Sequence, residues 1–279
     1  MPITLSGLFV YPVKSLAGIT VQHSELTSRG LKYDRRWMVV QPDGTFMTQR
    51  KFPNMALLRP EIRANSLAIT ASGMEGLVMP LAPESDVQNQ QDADRLEKTV
   101  EVWGDRCLAW SMGKHAQEWI SEALKTHCEL VYMPDKSNRP VDHGKLDAAQ
   151  QVSFADAYPY LLISTASLAD LNQRLDEPIL MNRFRPNFVA DGCHPFDEDT
   201  WKSIQIGDIP FSVDKPCSRC VVTTIHQSTG QRNPEPLKTL TSYRHWDGQI
   251  WFGQNLTHRQ LGTVSVGDRI RINSLNGQQ

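Results

Sequence analysis

Two cysteines at C-x-x-C spacing, Cys217 and Cys220, limit both the local conformation and the chemistry of this chain. A proline directly before the pair favours an extended or turn conformation for the residue that precedes it. Lys215 and Arg219 flank the sulfurs, and a nearby cation favours thiolate over thiol. The β-branched run at 221–225 is typical of a buried strand. The sequence therefore predicts two thiols on a loop that leads directly into a strand.

The C-x-x-C spacing by itself is compatible with several kinds of site. A thioredoxin-like redox pair caps a helix, whereas residues 221–225 are poor helix formers. A structural zinc site or an iron–sulfur cluster needs further clustered ligands, and Cys107, Cys128 and Cys193 stand alone. Two buried cysteines without chemistry also fit. Among these open alternatives we favour a single activated thiolate, acting as a nucleophile or as a ligand to a soft metal.

The charge balance gives no sign of a polyanionic partner. The 279 residues contain 29 Lys and Arg against 31 Asp and Glu, without a polybasic block, so neither nucleic acid nor an anionic membrane is indicated. Five cysteines, an odd and sparse number, fit a reducing compartment. The sequence has no signal peptide pattern and no apolar window near the roughly 18 residues of a membrane span. We expect a soluble, cytoplasmic protein of one large domain or two ordinary ones.

Short strand patterns separated by turns fill the first half of the chain. The turn Pro42-Asp43-Gly44 predicts a hairpin between residues 37–41 and 45–49. Further short strands are predicted at 67–70 and 76–79. This pattern predicts a β-rich N-terminal domain, residues 1–126, closed on itself like a barrel or sandwich.

The second predicted domain, residues 127–273, mixes helix and strand. Ser164 or Thr165 is a suitable N-cap for a helix. Glycine-aspartate pairs predict hairpins over residues 204–213 and 264–272. The whole chain is therefore predicted to belong to the α+β class and to be rich in strands.

Cationic and amide side chains follow or precede several predicted strands. Arginine binds phosphates and other planar anions bidentately, whereas lysine acts as a point charge. If these loops converge on Cys220, they surround one thiolate with donors for a phosphorylated cofactor; the alternative is scattered surface charge. No Rossmann, P-loop, zinc-protease or serine-hydrolase motif is present. The side chains are Lys14, Arg35, Arg50, Arg185, Asn187 and Arg219.

Five motifs in a fixed order resemble those of a known family. They are Tyr11-Pro12-Val13-Lys14-Ser15, Tyr33-Asp34-Arg35-Arg36-Trp37, Phe184-Arg185-Pro186-Asn187, Pro216-Cys217-Ser218-Arg219-Cys220 with Thr223-Thr224, and Phe252-Gly253-Gln254-Asn255. The series resembles the MOSC family, named after the molybdenum cofactor sulfurase C-terminal domain. More narrowly, the chain resembles the mitochondrial amidoxime-reducing components and their bacterial relatives. The resemblance runs from about residue 5 to residue 272, and implies a β-barrel-like N-terminal part, a mixed α/β MOSC barrel and a cofactor site between them.

The resemblance also implies roles for individual residues. Cys220 corresponds to the protein ligand of molybdenum, and Cys217 to a neighbour that is not a ligand. Lys14 and Ser15 resemble residues that contact the pterin cofactor and its phosphate. The further positions implied to bind the molybdenum cofactor are Arg35, Asp156, Arg185, Asn187, Ser218 and Arg219.

The activity that this resemblance implies is reduction of an N–O bond. Molybdenum, cycling between Mo(IV) and Mo(VI), would take the oxygen atom of a small N-hydroxylated or N-oxide substrate and release it as water. From the sequence we expect neither the targeting segment of mitochondrial members nor the ferredoxin domain of some bacterial ones. The expected electron donor is therefore a separate iron–sulfur or haem protein. Two alternatives are a molybdenum-cofactor carrier or sulfur-transfer protein without reductase turnover, and a non-catalytic binding module.

Overall fold

Strands form most of the regular structure in the computed structural model, which describes residues 2–81, 97–144 and 150–277. The first half contributes one α-helix, α1, Gly113–Leu124. Its strands are β1 Thr4–Val10, β2 Ile19–Thr20, β3 His23–Thr27, β4 Gly30–Leu31, β5 Trp37–Val40, β6 Arg59–Ile62, β7 Ser66–Thr70, β8 Leu77–Pro80, β9 Glu97–Val102, β10 Asp105–Ser111 and β11 Glu129–Tyr132.

The second half contains two further α-helices, α2 Thr165–Asn172 and α3 Leu237–Tyr243. Its strands are β12 Tyr160–Ser164, β13 Phe188–Asp191, β14 Trp201–Ile206, β15 Ile209–Ser218, β16 His245–Trp246, β17 Gln249–His258, β18 Thr263–Ser265 and β19 Ile270–Leu275. This strand-rich α+β architecture, with a barrel-like N-terminal part, confirms the predicted fold class.

A large sheet organises the second half. Within the described ranges its strand order is β19-β14-β15-β17-β12-β13-β1-β2, with β16 paired to β17. Only β12 and β13 are parallel among the pairs of this order, and the other pairs are antiparallel. Apolar side chains such as Leu8, Phe188 and Trp201 are fully buried against this sheet. Because Phe9 donates its amide to the Asn187 carbonyl at 2.9 Å, the sheet joins β1 of the first half to the start of β13 beside the predicted site.

A second hydrophobic core lies among the sheets and the helix α1 of the first half. The four-stranded sheet β5-β11-β10-β9 packs against α1, whose buried residues lie on one helical face. Trp37 and Leu130 are fully buried there, together with Ile120 of α1. The three-stranded sheet β6-β7-β8 contributes Leu67 and Ile69 to the same core. Burial on both faces explains why β5 is a continuous apolar run without alternation. Strand β11 is buried along its whole length as well, including Glu129.

The sheets connect the two predicted domains. Strand β1 pairs with β13 of the second half, whereas β11 pairs with β5 and β10 of the first half. The pairing thus crosses the predicted boundary at residues 126–127 in both directions. The division into 1–126 and 127–273 therefore stays a prediction.

Several local predictions are confirmed. Ser164 is the N-cap of α2, and its side chain accepts a hydrogen bond from the Ser167 amide. Strands β14 and β15 form the expected hairpin. The turn after β5 forms as well, because Gln41 donates its amide to the Thr45 carbonyl at 2.8 Å. The predicted return strand at 45–49 is reduced to two isolated bridges, from Phe46 to Val40 and from Thr45 to Glu101.

Two local predictions are wrong. Residues Val221–Thr224 form a 3₁₀ helix instead of a buried strand, and Val221 is 46% exposed. The expected hairpin at 264–272 does not form, because β18 pairs with β3 and β19 pairs with β14. Cys217 therefore lies near the end of strand β15, and Cys220 lies between that strand and a helical turn.

None of the described helices is both long enough and apolar enough to span a bilayer. The expected cytoplasmic location, and the absence of nucleic-acid and membrane partners, stay predictions.

Gly253 generates a prediction about folding. Its φ is +83°, and an added Cβ would lie 2.6 Å from Ile163 Cγ1 and 2.8 Å from the Leu162 carbonyl oxygen. We expect Gly253→Ala to lower the free energy of unfolding by about 2–4 kcal/mol, since backbone strain and overpacking add. Urea denaturation measures the loss. Gly267→Ala is the matched control, with φ +96° and open space around the added carbon; equal losses in both variants would contradict the steric argument.

Candidate active site

A cavity of about 570 Å³ lies between the two parts of the chain. Thr48, Arg50 and Trp103 from the first half form one wall, and Trp251 and Asn255 from β17 belong to the other. The size is within the range of pockets that hold a small ligand or cofactor. All nine predicted site residues line it: Lys14, Ser15, Arg35, Asp156, Arg185, Asn187, Ser218, Arg219 and Cys220.

Cys220 sits where β15 has ended and the 3₁₀ helix begins. Its backbone is extended, and its carbonyl accepts hydrogen bonds from the Thr223 amide at 3.1 Å and the Thr223 hydroxyl at 3.0 Å. The preceding residue, Arg219, donates its amide to the Ile250 carbonyl at 2.7 Å. These bonds fix the backbone on both sides of the thiol. On the cavity side, Arg50 Nη2 donates to Cys220 Sγ at 3.3 Å.

The cationic side chains next to the thiols in sequence bind groups other than the Cys220 sulfur. Arg219 Nη1 donates instead to Cys217 Sγ at 3.0 Å, and its Nη2 donates to the Phe184 carbonyl at 2.7 Å. Lys215 forms an ion pair with Asp142, with Nζ 3.1 Å from Oδ1. The two sulfurs thus have different arginine partners, and the one for Cys220 comes from 170 residues away.

Lys14 is a buried ammonium group on the cavity wall, with 5% of the residue exposed. It donates to the Phe154 carbonyl at 2.7 Å and to Asp156 Oδ1 at 2.6 Å. Burial lowers the pKa of Lys14 to about 8, although the Asp156 carboxylate opposes that shift. Lys14 is therefore still mainly charged at neutral pH. An ammonium has three hydrogens, so one remains for a ligand.

Asp156 is the anionic partner in this wall. Desolvation raises the pKa of Asp156, but the Lys14 charge and the hydrogen bonds from Lys14 and Trp103 outweigh it. The net pKa of this carboxyl is therefore below its ordinary range, although 70% of the side chain is exposed. Trp103 Nε1 donates to Asp156 Oδ1 at 2.9 Å. Asp156 is thus ionised at neutral pH and holds both neighbours in place.

Two guanidinium groups lie over the ring of Tyr11. The Arg35 and Arg185 guanidinium carbons are 4.4 Å and 4.3 Å from the ring centre. Asn187 Oδ1 accepts a hydrogen bond from Arg35 Nη1 at 3.1 Å, and Arg185 Nη1 donates to the Leu16 carbonyl at 2.6 Å. Burial lowers the pKa of Arg185 to about 10, which leaves it charged at neutral pH. The stack therefore presents two fixed positive planes to the cavity.

Three residues of the site have strained backbones. Ser15, Arg35 and Arg185 have φ values of 69°, 50° and 59°, in the left-handed region that residues other than glycine rarely adopt. Such strain persists where the surrounding structure enforces it, and it concentrates at functional sites. The observation supports a binding role for these loops.

The side chains that line the cavity suit a metal whose other ligands belong to a cofactor, and they suit a cofactor that carries an anionic group. Within residues 2–81, 97–144 and 150–277, no three His, Cys, Asp or Glu side chains cluster to hold a metal ion. A zinc site or iron–sulfur cluster made by the described residues is therefore excluded. Arg219 Nε is buried without a hydrogen-bond partner among the described residues. An unpaired buried donor costs about 1–3 kcal/mol, which an anion at this position would offset.

Sequence comparison assigns both halves of the chain. Residues 2–127 match the MOSC N-terminal beta barrel domain, and residues 149–271 match the MOSC domain. The chain belongs to the MOSC family. The resemblance predicted from five motifs is confirmed, and the MOSC cavity lies between the two matched regions.

Individual relatives match over almost the whole MOSC chain. The mitochondrial amidoxime-reducing component 1 of Mus musculus is 34% identical over 287 residues, covering 96% of this chain and 82% of that protein. The mitochondrial amidoxime reducing component 2 of Homo sapiens is 32% identical, with the same coverage. The molybdenum cofactor sulfurase of Danio rerio is 33% identical over 96% of this chain but 34% of its own length. The relatives by name are thus amidoxime-reducing components and cofactor sulfurases.

Some MOSC cavity residues are not indicated by the sequence patterns. Trp103 is one of them, because an aromatic side chain at this position fits a core equally well. The sequence does indicate a turn at Trp103-Gly104, because this pair separates two strand patterns. In the structure the pair forms the tip of the β9–β10 hairpin. Nothing local indicates that this tip reaches Asp156, 53 residues away.

The Lys14–Asp156 pair generates a pH prediction for the protein without cofactor. Asp156→Asn is expected to move the pKa of Lys14 below about 8, because the carboxylate opposes desolvation of the ammonium. Lys14 would then lose its charge at a lower pH than in the wild type. Nitrogen-15 NMR titration of the lysine Nζ signals measures this. Glu118→Gln, which removes the exposed partner of Lys114, should leave Lys14 unchanged; an unshifted Lys14 in Asp156→Asn would refute the pairing.

Proposed function

We propose that this chain is a molybdenum-cofactor-dependent reductase of N-hydroxylated compounds or N-oxides. The observation that carries the proposal is the position of Cys220, whose sulfur accepts a hydrogen bond from Arg50 at a cavity lined by cationic side chains. One thiolate cannot hold a metal ion alone, so the metal has to arrive coordinated by a cofactor. When bound, the cofactor supplies a metal that changes its oxidation state by two electrons while it exchanges an oxygen atom.

The cationic loops suit the anionic part of such a cofactor. Arg35 and Arg185 present fixed planes that bind phosphate oxygens bidentately, and Lys14 adds a point charge. Ser15, Asn187 and Ser218 add polar groups to the lining of the cavity. We assign these residues, with Asp156 and Arg219, to cofactor binding and orientation. Cys220 is assigned as the protein ligand to molybdenum, and Cys217, held by Arg219, as a neighbour that is not a ligand.

The relatives support the choice of reaction. Two of them are named for amidoxime reduction and are similar to 96% of this chain. The substrate class we propose is a small molecule with an N-hydroxyl or N-oxide group. Reduction needs two electrons and two protons, and we propose that a separate iron–sulfur or haem protein supplies the electrons in the cytoplasm. The sulfurase relative keeps a second candidate open, a cofactor carrier or sulfur-transfer protein without reductase turnover.

Metal and activity measurements test the assignment. The protein, expressed in a host that makes molybdenum cofactor, is expected to contain molybdenum and pterin and to reduce benzamidoxime with an artificial electron donor. Cys220→Ala should lose essentially all turnover, because the metal loses its protein ligand, whereas Cys217→Ala should keep the metal. Elemental analysis, pterin fluorescence and amidine formation are the measurements.

The outcomes separate the candidates. Full turnover in Cys220→Ala would refute the ligand assignment. Molybdenum and pterin without turnover on any N-hydroxylated substrate would favour a carrier, and a sulfane sulfur on cysteine would favour sulfur transfer. A protein free of molybdenum would favour a non-catalytic binding module.

A further inference from the structure

Arg50 connects the first half of the chain to the sulfur of Cys220. Its Nη2 donates to Cys220 Sγ at 3.3 Å, while its guanidinium carbon lies 4.4 Å from the centre of the Trp103 ring. A planar guanidinium that stacks on an indole loses rotational freedom, and its donors point along fixed directions. The stacking therefore aims one N–H group at the sulfur.

The Trp103 ring is itself held from two sides. Its Nε1 donates to Asp156 Oδ1 at 2.9 Å, and the Phe46 ring packs against it edge to face at 4.9 Å. Trp103 and Gly104 turn the β9–β10 hairpin with φ values of +55° and +89°. The indole is thus a fixed support, set by the hairpin and by Asp156, with 38% of the residue exposed.

The backbone below Arg50 is fixed as well. Its neighbour Gln49 is fully buried and donates Nε2 to the Ser15 carbonyl at 2.7 Å. Gln227 Nε2 donates to Gln49 Oε1 at 3.1 Å, and Arg232 Nη2 donates to the Arg50 carbonyl. The backbone and the side chain of Arg50 are therefore both restrained. Arg50 contacts the Cys220 sulfur as a fixed group and not as a mobile surface side chain.

A charged donor on a ligating sulfur has a defined electronic effect. Hydrogen bonds from charged groups are roughly twice as strong as neutral ones. Hydrogen bonds to ligand sulfurs, together with local charge, set the reduction potentials of metal centres. A positive charge beside the sulfur favours the electron-rich, reduced metal. Its removal therefore makes the potential more negative.

We propose that Arg50, held on the Trp103 ring, is a positioning residue that donates to the metal-ligating sulfur of Cys220 and raises the reduction potential of the bound metal. This inference rests on the proposed function. It gives the N-terminal part a role beyond enclosing the cavity: it makes the metal easier to reduce by the electron donor.

Potentiometric titration of the molybdenum, followed by EPR, tests the role. In Arg50→Met we expect the reduction equilibrium to shift at least tenfold toward the oxidised metal, which for a one-electron step is about 59 mV more negative. Arg50→Lys keeps the charge without the planar fork, so its potential should lie between those of Arg50→Met and wild type. Trp103→Leu keeps the guanidinium but removes its support, and should shift the potential in the same direction by less than Arg50→Met. Trp103→Phe keeps a ring and should shift it less than Trp103→Leu.

Lys51→Met is the matched control, because it removes one positive charge from the adjacent, exposed position. An equal shift in Lys51→Met and Arg50→Met would overturn the inference, since general electrostatics would then account for it. An unshifted potential in Arg50→Met that retains molybdenum would overturn it too. If Arg50→Met does not retain the metal, Trp103→Leu provides the test. A wild-type reduction potential in Trp103→Leu would overturn the inference that the Trp103 ring holds Arg50 against the Cys220 sulfur. A wild-type protein without molybdenum fails the proposed function instead, so the two failures are distinct.

Discussion

Several positively charged side chains lie around one cavity, and the surrounding structure has to stabilise these charges. Lys14, Arg35, Arg185 and Arg219 all line it, and burial lowers the pKa of two of them, Lys14 and Arg185. Each cation is retained by local acceptors, which include the carbonyls of Phe154, Leu16 and Phe184 and the carboxylates of Asp34 and Asp156. Burying charge is costly unless it is paired and hydrogen-bonded. An anionic ligand would relieve the remaining repulsion, which supports the proposal of a phosphorylated cofactor.

The two halves contribute different parts of this arrangement. The first half carries Lys14, Arg35 and the Arg50–Trp103 stack, whereas the second half carries both cysteines. Because β1 lies in the large sheet beside β13, the loop after β1 is fixed relative to the loop before β13. The cavity therefore depends on both halves folding together. Long-range pairing, rather than a linker, sets the distances within the site.

Local sequence was sufficient where one interaction dominated. The Ser164 cap and the β14–β15 turn depend on neighbouring residues, and both were predictable. The same reasoning failed at 221–225, where β-branched residues suggest a strand. There Thr223 and Thr224 donate their hydroxyls to the carbonyls three residues earlier, at 3.0 Å and 2.7 Å, which stabilises a helical turn. Strand propensity depends on a partner strand, and this segment has none among the described strands.

The sequence alone determined the strand-rich class, the family and nine of the residues that line the cavity. It could not determine which cation meets which sulfur. Arg219, adjacent to Cys220 in sequence, contacts Cys217, whereas Arg50, 170 residues distant from Cys220, contacts its sulfur. Only the tertiary structure decided this, because the direction of a side chain depends on the backbone turn that carries it. Pairing between β15 and β17 fixes the backbone that leads to Arg219 and Cys220, and the stack on Trp103 fixes the Arg50 side chain. Local sequence specifies neither.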